Sequence, residues 1–434
     1  MDQTYAITVL LLAVFVFLGS GLWIALSLVM VGVVGIAFFS DAPVGKLLAT
    51  TVWGQSSEWS MTALPLFIWM GEILFRTRMS EDMFTGLAPW MRRLPGRLLH
   101  VNVIGSGIFA AVSGSSTATV LTIGRMTVPE LLRRGYKESV VLGSLAGAGT
   151  LGMMIPPSII MIVYGVAADV SIARLFIAGI LPGLLLISLL MGCIMLHAWT
   201  NPSSIPPADP KTTFAEKMYA SRRLFPIIAL VVMVMGSIYA GLATATEAAG
   251  VGVLGALILA ASTGTLTRKG FMDSLMQATA TSSMLAFIIA GAAFTTVAMG
   301  FTGIPKTLAA LIIEWQLSPG MLIVALTILY VILGCFLDGV SMIVLTLSVV
   351  MPMVHAAKID PIWFGIYIVL VVEIATITPP VGFNLFVLQG LAKRDILFIS
   401  KGALPSFLAM VLACWLLWMF PGIATYLPSA MYGN

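Results

Sequence analysis

Long apolar stretches dominate the chain, and short clusters of charged residues separate them. Among the stretches without Asp, Glu, Lys or Arg are residues 3–40, 139–168, 224–246, 248–267, 274–305 and 402–434. Each is at least as long as the ~20 apolar residues that cross the hydrocarbon core of a bilayer. The pattern predicts spans over residues 5–19, 21–39, 59–76, 139–168, 174–199, 224–241, 245–262, 274–299, 360–391 and 399–423.

The composition supports an all-α integral membrane protein. Hydrophobic residues make up 59% of the 434 positions and charged residues only 9%, whereas a soluble domain carries about 25% charged residues. The lipid bilayer is therefore the first expected partner. The three cysteines are far apart and form no CxxC pair, so neither a disulfide framework nor a zinc site is indicated.

The basic residues indicate how the chain crosses the membrane. With the N-terminus outside, 18 of the 22 Lys and Arg residues fall on the cytoplasmic side, as the positive-inside rule requires. This asymmetry arises only if residues 102–127 and 320–352 each enter and leave on the same side. Both segments are therefore predicted to be re-entrant helical hairpins. The net charge of +4 is a topology signal, and no nucleic-acid partner is expected.

The chain also matches itself at one constant offset. Pro156-Pro157 aligns with Pro379-Pro380, and at the same offset Pro129 aligns with Pro352. Each copy has five spans and one hairpin, and the odd number of spans predicts the inverted repeat of secondary transporters. The predicted units are residues 1–199, a cytoplasmic connector at 200–223, and residues 224–434.

Two features recur in both repeats and predict the site. One is a hairpin tip rich in small and polar residues, at residues 113–117 and 338–341. The other is a span broken by two prolines, within 139–168 and 360–391. Proline removes a backbone donor and opens the helix, and the freed carbonyls must face protein or a wet cavity. Carbonyls and hydroxyls suit a hard cation, and the helix N-termini beyond the breaks attract an anion. Alternatively, such prolines only kink a helix for packing.

These stretches resemble the large membrane subunit (DctM-like) of tripartite ATP-independent periplasmic (TRAP) transporters. The similar segments are GSGIFAAVSGSSTATVLTIGRMTVPELLRRGY at 105–136, GLATATEAAGVG at 241–252, GCFLDGVSMIVLTLSVVMP at 334–352 and ATITPPVGFNLFVLQG at 375–390. The resemblance implies sodium-driven import of organic acids, such as C4-dicarboxylates or sugar acids including sialic acid, across the bacterial inner membrane. It further implies an elevator mechanism, a periplasmic binding protein and a small four-helix membrane subunit. No four-helix unit precedes the first span, so the small subunit is expected to be a separate chain.

With sodium as the coupling ion, the two regions predict two ion sites. The first is assigned to Ser113 and Ser116 with carbonyls of Gly152, Ile155 and Pro157. The second is assigned to Asp338, Ser341, Thr376, Thr378 and Pro380. No organic cofactor is expected.

The substrate is expected beside the helix ends that follow the breaks, because the spans contain no deep Lys or Arg. The predicted substrate-binding residues are Ser115, Ser158 and Asn384. Asn384 offers a donor and an acceptor, which suit a carboxylate or a hydroxyl, although it could instead only cap the broken helix. Glu373 lies inside a span, where acids are costly and usually functional. It could tune an ion site, relay a proton or hydrogen-bond the broken backbone; the last is favoured.

Two other function classes stay open. A stand-alone sodium–anion symporter or exchanger of similar inverted-repeat design would need no binding protein. An intramembrane enzyme is disfavoured, because no GxSxG, HExxH or paired-carboxylate arrangement is present. The GxGxxG match at residues 147–152 lies inside an uncharged span and lacks the strand that a dinucleotide fold requires.

Overall fold

A computed structural model describes residues 3–207, 212–314, 317–380 and 382–433, and its regular elements are all helices. The helices before the connector are α1 (Gln3–Gly19), α2 (Ile24–Phe39), α3 (Val44–Ser56), α4 (Ala63–Phe75), α5 (Met79–Met91), α6 (Leu99–Ser113), α7 (Ser116–Arg133), α8 (Glu138–Met154), α9 (Ile159–Ala167) and α10 (Ile172–Thr200). The others are α11 (Phe214–Ser221), α12 (Phe225–Tyr239), α13 (Ala245–Ser262), α14 (Arg268–Thr302), α15 (Ile304–Glu314), α16 (Pro319–Leu333), α17 (Gly339–Ala356), α18 (Pro361–Thr376), α19 (Phe383–Ala392), α20 (Ile396–Met419) and α21 (Gly422–Tyr432). Two 3₁₀ turns, Trp59–Thr62 and Pro202–Ser204, complete the described elements.

The apolar helices confirm the all-α membrane class. Among the described residues, α10, α13, α14, α17 and α20 are each long and apolar enough to cross a bilayer. Large hydrophobic side chains such as Phe15, Trp23, Trp53 and Phe336 lie exposed on the outside. A soluble monomer rarely exposes so much contiguous apolar surface, which is what a lipid-facing surface requires.

The predicted spans fall on helices, and the helices α3, α11 and α21 were not predicted. Helix α13 has the predicted bounds, and α5 and α15 lie outside the predicted spans and hairpins. Helix α3 lies between the second and third predicted spans, where no element was predicted. That helix buries none of its side chains, so no apolar stripe marks it in the sequence. Helix α21 follows the last predicted span.

The helix bounds repeat at the offset that aligns the two proline pairs. At this offset α7 coincides with α17, and α8 begins where α18 begins. The main difference lies at α3 and α4, whose counterpart is the single 35-residue helix α14. The inverted orientation of the second unit stays a prediction.

Both predicted hairpins are pairs of helices joined by short connections. Helices α6 and α7 pack against each other and are joined by only Gly114 and Ser115. Gly114 has φ +60°, a conformation that glycine adopts without steric cost. Helices α16 and α17 are linked by a hydrogen bond of 2.5 Å between the hydroxyls of Tyr330 and Thr346. Both pairs extend beyond the predicted ranges 102–127 and 320–352, and their re-entry into the membrane stays a prediction.

The two proline-broken segments form the centre of the molecule. Helices α8 and α9 are bent by 41° at the first break, residues 155–158. Helices α18 and α19 flank the second break, residues 377–382, of which Val381 lies outside the described residues. Every residue of α18 from Trp363 to Thr376 is buried. The first break therefore lies inside protein, where freed backbone groups need polar partners, whereas Pro379 and Pro380 of the second break are exposed.

Candidate transport site

The first hairpin tip packs directly on the first break. A Cβ atom added at Gly152 would lie 2.5 Å from the carbonyl oxygen of Ser115, closer than real Cβ contacts allow. The backbone N–H of Ile159, just beyond the break, donates to the carbonyl of Gly114 at 3.3 Å. A Cβ added at Gly114 would lie 2.7 Å from the carbonyl oxygen of Pro157. The structure thus brings together the tip and the break, with glycine at each point of closest approach.

Buried hydroxyls line the first tip. The hydroxyl oxygens of Ser113 and Thr119 lie 3.2 Å apart, and Ser113 is 5% exposed. The hydroxyl of Thr119 also donates to the carbonyl of Ser115 at 2.7 Å. Sequence reasoning missed Thr119, whose only signal is its place one turn into α7. Ser115 caps α7 by accepting from the N–H of Ala118 at 3.4 Å.

The break supplies carbonyl oxygens without their usual helical partner. In an α-helix, the carbonyls of Gly152 and Met153 would accept from residues 156 and 157. Both of those residues are prolines, which have no N–H. Of the three predicted backbone ligands, Gly152 and Pro157 lie against the tip, and Ile155 begins the break with its N–H donating to Leu151 at 2.9 Å. The first region therefore concentrates hydroxyl and carbonyl oxygens in a buried space.

The second hairpin tip lies against the second break, but the predicted ligands of the tip do not bond those of the break. Asp338 caps α17 by accepting from the N–H groups of Val340 and Ser341 at 3.1 and 3.2 Å. The Ser341 hydroxyl also donates to Asp338. The Cys335 thiol reaches the carbonyl of Pro379 at 3.6 Å, which joins the tip to the break.

The threonines of the second break are directed to their own helix. The hydroxyls of Thr376 and Thr378 donate to the carbonyls of Glu373 and Ile374 at 2.8 and 2.7 Å. Within the described residues, no hydrogen bond joins them to Asp338 or Ser341, and Pro380 is exposed. The structure therefore brings the second set together as neighbouring segments rather than as a closed cluster of ligands.

Asn384 connects the two repeats. Its side chain is fully buried, and the Ser116 hydroxyl oxygen lies 2.8 Å from its Oδ1 and 2.6 Å from its Nδ2. Its Nδ2 also donates to the Thr376 hydroxyl at 3.4 Å. The alternative that Asn384 caps the broken helix is wrong, because the N-cap of α19 is Gly382 and no side chain caps it. Ser158 is the buried residue that caps a half-helix: it accepts from the N–H of Met161 at 3.4 Å.

Glu373 is the buried acid of this region. It is 0% exposed, and in the described structure neither carboxyl oxygen has a hydrogen-bond partner. The carboxyl faces the backbone of Met154 at the first break without completing a hydrogen bond. The favoured expectation that Glu373 hydrogen-bonds the broken backbone therefore stays a prediction.

Comparison with known proteins identifies the family. The model of the family described as tripartite ATP-independent periplasmic transporter, DctM component, matches residues 9–423. The chain belongs to this family. The C4-dicarboxylate TRAP transporter large permease protein DctM of Pseudomonas aeruginosa is 32% identical over 93% of this chain and 94% of its own length. The ectoine/5-hydroxyectoine large permease protein of Ruegeria pomeroyi is 32% identical over 86% and 87%.

Two further similarities concern domain organisation and fold. The isethionate TRAP transporter permease protein DctMQ of Oleidesulfovibrio alaskensis is 31% identical over 95% of this chain but only 64% of its own length. The crystal structure of the YdaH transporter of Alcanivorax borkumensis superposes with a TM-score of 0.63 at 16% identity, covering 96% of this chain and 99% of that chain. At this identity the likeness concerns the fold alone, and it is the fold of a transporter.

Family membership confirms three predictions. The chain is the large permease subunit of a TRAP transporter, as the sequence motifs indicated. It is a multi-pass protein of the inner membrane. The relatives are permeases, so the chain is a transport protein and not an enzyme.

Proposed function

We propose that this permease imports small organic acids across the bacterial inner membrane by sodium-coupled secondary transport. The observation that carries the proposal is the contact between the first hairpin tip and the first proline break. This contact brings the buried Ser113 and Ser116 together with the carbonyls of Ser115 and Pro157. Hydroxyl and carbonyl oxygens are the ligands that hard cations prefer.

We assign two coupling ions to the two regions. The first ion is held by Ser113 and Ser116 with carbonyls of Gly152, Ile155 and Pro157. The second is held by Asp338, Ser341, Thr376, Thr378 and the carbonyl of Pro380. In this structure the Thr376 and Thr378 hydroxyls donate to carbonyls of their own helix, and the lone pairs of their oxygens remain available to a cation.

The substrate's acidic group lies beyond the breaks in this proposal. Ser115, Ser158 and Asn384 surround the N-termini of α9 and α19, whose backbone N–H groups carry partial positive charge. Relatives named for C4-dicarboxylates, ectoines and isethionate are permeases for molecules with a carboxylate or sulfonate group. We therefore propose small organic acids as the substrate class, with C4-dicarboxylates and sugar acids such as sialic acid as the first to test.

Two partner proteins complete the transporter. A periplasmic binding protein delivers the substrate, and a small four-helix membrane subunit joins the large one. The DctMQ relative is longer than this chain, which covers 64% of its length. For this chain we propose a small subunit encoded as a separate polypeptide.

The packing of tips on breaks supports an elevator motion. Each tip lies against the break of its own repeat, and Asn384 joins the first tip to the second break. A group of segments packed this closely is expected to move as one body, because a packed core resists partial deformation. The hairpins and broken helices would then carry substrate and ions together against the remaining helices.

The test is uptake of a labelled organic acid into vesicles that contain the chain and its partners, with and without an inward sodium gradient. Uptake should require the gradient, and Ser113→Ala and Thr378→Ala should each raise the sodium concentration for half-maximal uptake. Ser188→Ala and Thr279→Ala are matched controls, since both hydroxyls bond only an exposed helix carbonyl. Normal sodium dependence in both test variants would refute the ion assignment. Uptake by this chain without its partners would favour the stand-alone symporter.

A further inference from the structure

The second repeat carries two acids where the first repeat carries hydroxyls. At the offset that aligns the proline pairs, Asp338 corresponds to Ser115, and Glu373 corresponds to Thr150. The correspondence of Ser115 and Asp338 is also structural, since each caps the second helix of its hairpin. Two candidate cation regions are thus related by the repeat, but both carboxylates belong to one half of the chain.

The first candidate region has no negative charge of its own. Its predicted ligands are two hydroxyls and three backbone carbonyls, all of them neutral. In the sequences of α6 to α9, α18 and α19, the acidic residues are Glu130 near the end of α7, which is paired with Arg133 and Arg134, Glu138 at the start of α8, and Glu373. A cation in the first region therefore needs a counter-charge from another segment, because a buried ion without one is costly.

Glu373 lies where that counter-charge is needed. Its carboxyl faces the backbone of Met154, which lies between the predicted ligands Gly152 and Ile155. The preceding residue, Val372, approaches Gly339 at the start of α17. Met153 and Ile160, which flank the first break, approach the same glycine. Glu373 thus belongs to the second repeat in sequence but lies against the first break in space.

The carboxyl also has capacity to serve a cation. Asp338 already accepts from two backbone N–H groups and a hydroxyl of its own tip. Both oxygens of Glu373, in contrast, have no hydrogen-bond partner among the described residues although the side chain is 0% exposed. An unpartnered buried carboxyl is rare in folded proteins and requires an explanation.

We propose that Glu373 supplies the counter-charge for the sodium ion of the first region, so that the second repeat provides one carboxylate for each ion. Glu373 acts as a positioning residue and need not coordinate the ion directly. This inference rests on the proposed sodium coupling. When the ion is bound, its charge stabilises the buried carboxylate. When the ion leaves, the carboxylate stays buried without a counter-charge.

The test compares Glu373→Gln, which keeps the side-chain shape and removes the charge, with the unmodified protein. Purified protein is titrated with sodium, with potassium replacing it at constant ionic strength, and thermal unfolding is recorded without substrate. We expect the sodium concentration for half-maximal stabilisation to rise about tenfold or more, since an opposite charge within ~4–6 Å changes charge affinities by that order. In sodium-free buffer, Glu373→Gln should be at least as stable as the unmodified protein. Glu247→Gln, an exposed carboxyl at the start of α13, should leave the titration unchanged.

A double-mutant comparison identifies the ion that Glu373 serves. The effects of Glu373→Gln and Ser113→Ala on sodium affinity should be non-additive, whereas those of Glu373→Gln and Thr378→Ala should add. Unchanged sodium affinity in Glu373→Gln, reduced stability without sodium, or coupling to Thr378 instead of Ser113 would each overturn the inference. If the unmodified protein shows no response to sodium, the proposed function fails first, and the two failures are distinguishable.

Discussion

The tightest contact of the candidate site gives a quantitative prediction for Gly152→Ala. The added methyl carbon would lie 2.5 Å from the Ser115 carbonyl oxygen, 2.6 Å from its carbonyl carbon and 2.7 Å from the Ser116 nitrogen. All three atoms belong to the backbone, so no side-chain rotation can relieve the overlap. The tip and the break must separate until the 2.5 Å contact reaches the 3.0 Å that real Cβ contacts respect.

The cost of this separation can be isolated with a matched control. Overpacking a well-packed site costs about 1–3 kcal/mol, whereas alanine gains about 1 kcal/mol over glycine in a helix interior. Gly192 lies within α10, and an added Cβ there has no atom within 4 Å. Gly192→Ala therefore gains helix stability without any overpacking cost. We expect Gly152→Ala to be about 1–3 kcal/mol less stable than Gly192→Ala.

The same displacement should weaken sodium binding in the first region. Ligand distances in a metal site are usually satisfied within about 0.2 Å, so a shift of about 0.5 Å separates the tip hydroxyls from the break carbonyls too far for both to bind one ion. The assays are denaturant unfolding in detergent without sodium, followed by a sodium titration of thermal stability. If Gly152→Ala matched Gly192→Ala in both assays, the contact between tip and break would not be the element that forms the ion site.

Sequence patterns located the helices well because burial in a membrane leaves a strong signal. Charge-free stretches and the constant offset between the two repeats placed the spans, both helix pairs and both breaks. Helix α3 escaped prediction because it carries Lys46 and buries no side chain. The full length of α14 was not predicted either. The helix begins before the predicted span 274–299, and the sequence has no signal that marks this earlier start.

The candidate site was predictable as a set of segments but not as a set of bonds. Proline pairs indicate where carbonyls lose their helical partners, so the regions could be placed. The contact of Ser116 with Asn384 joins residues 268 positions apart and depends on how the two repeats pack. The position of Glu373 against Met154 likewise depends on packing between α18 and α8. Such contacts leave no local pattern in a single sequence.

The remaining predictions concern one ion pair and the place of the substrate. Glu138 forms a two-pronged ion pair with Arg394 at 2.9 and 2.7 Å, and the hydrogen bond from Arg394 lowers the pKa of Glu138. Glu138→Gln should therefore lose a little stability at neutral pH, and this difference should disappear as the pH falls through the lowered pKa; a difference that persists in acid would contradict this origin. Asn384→Asp keeps the size of a fully buried side chain and the acceptor for Ser116, but it adds a negative charge where the substrate's acidic group is expected. At saturating sodium, we expect the apparent affinity for an organic acid to fall about tenfold or more, because like charges a few ångströms apart disfavour each other to that extent. Gln389→Glu makes the same chemical change at a half-exposed position of α19 and should leave the affinity unchanged. If Asn384→Asp retained the full affinity in vesicle uptake, the acidic group would have to bind away from the N-terminus of α19, and the helix end at Ser158 would be the remaining candidate.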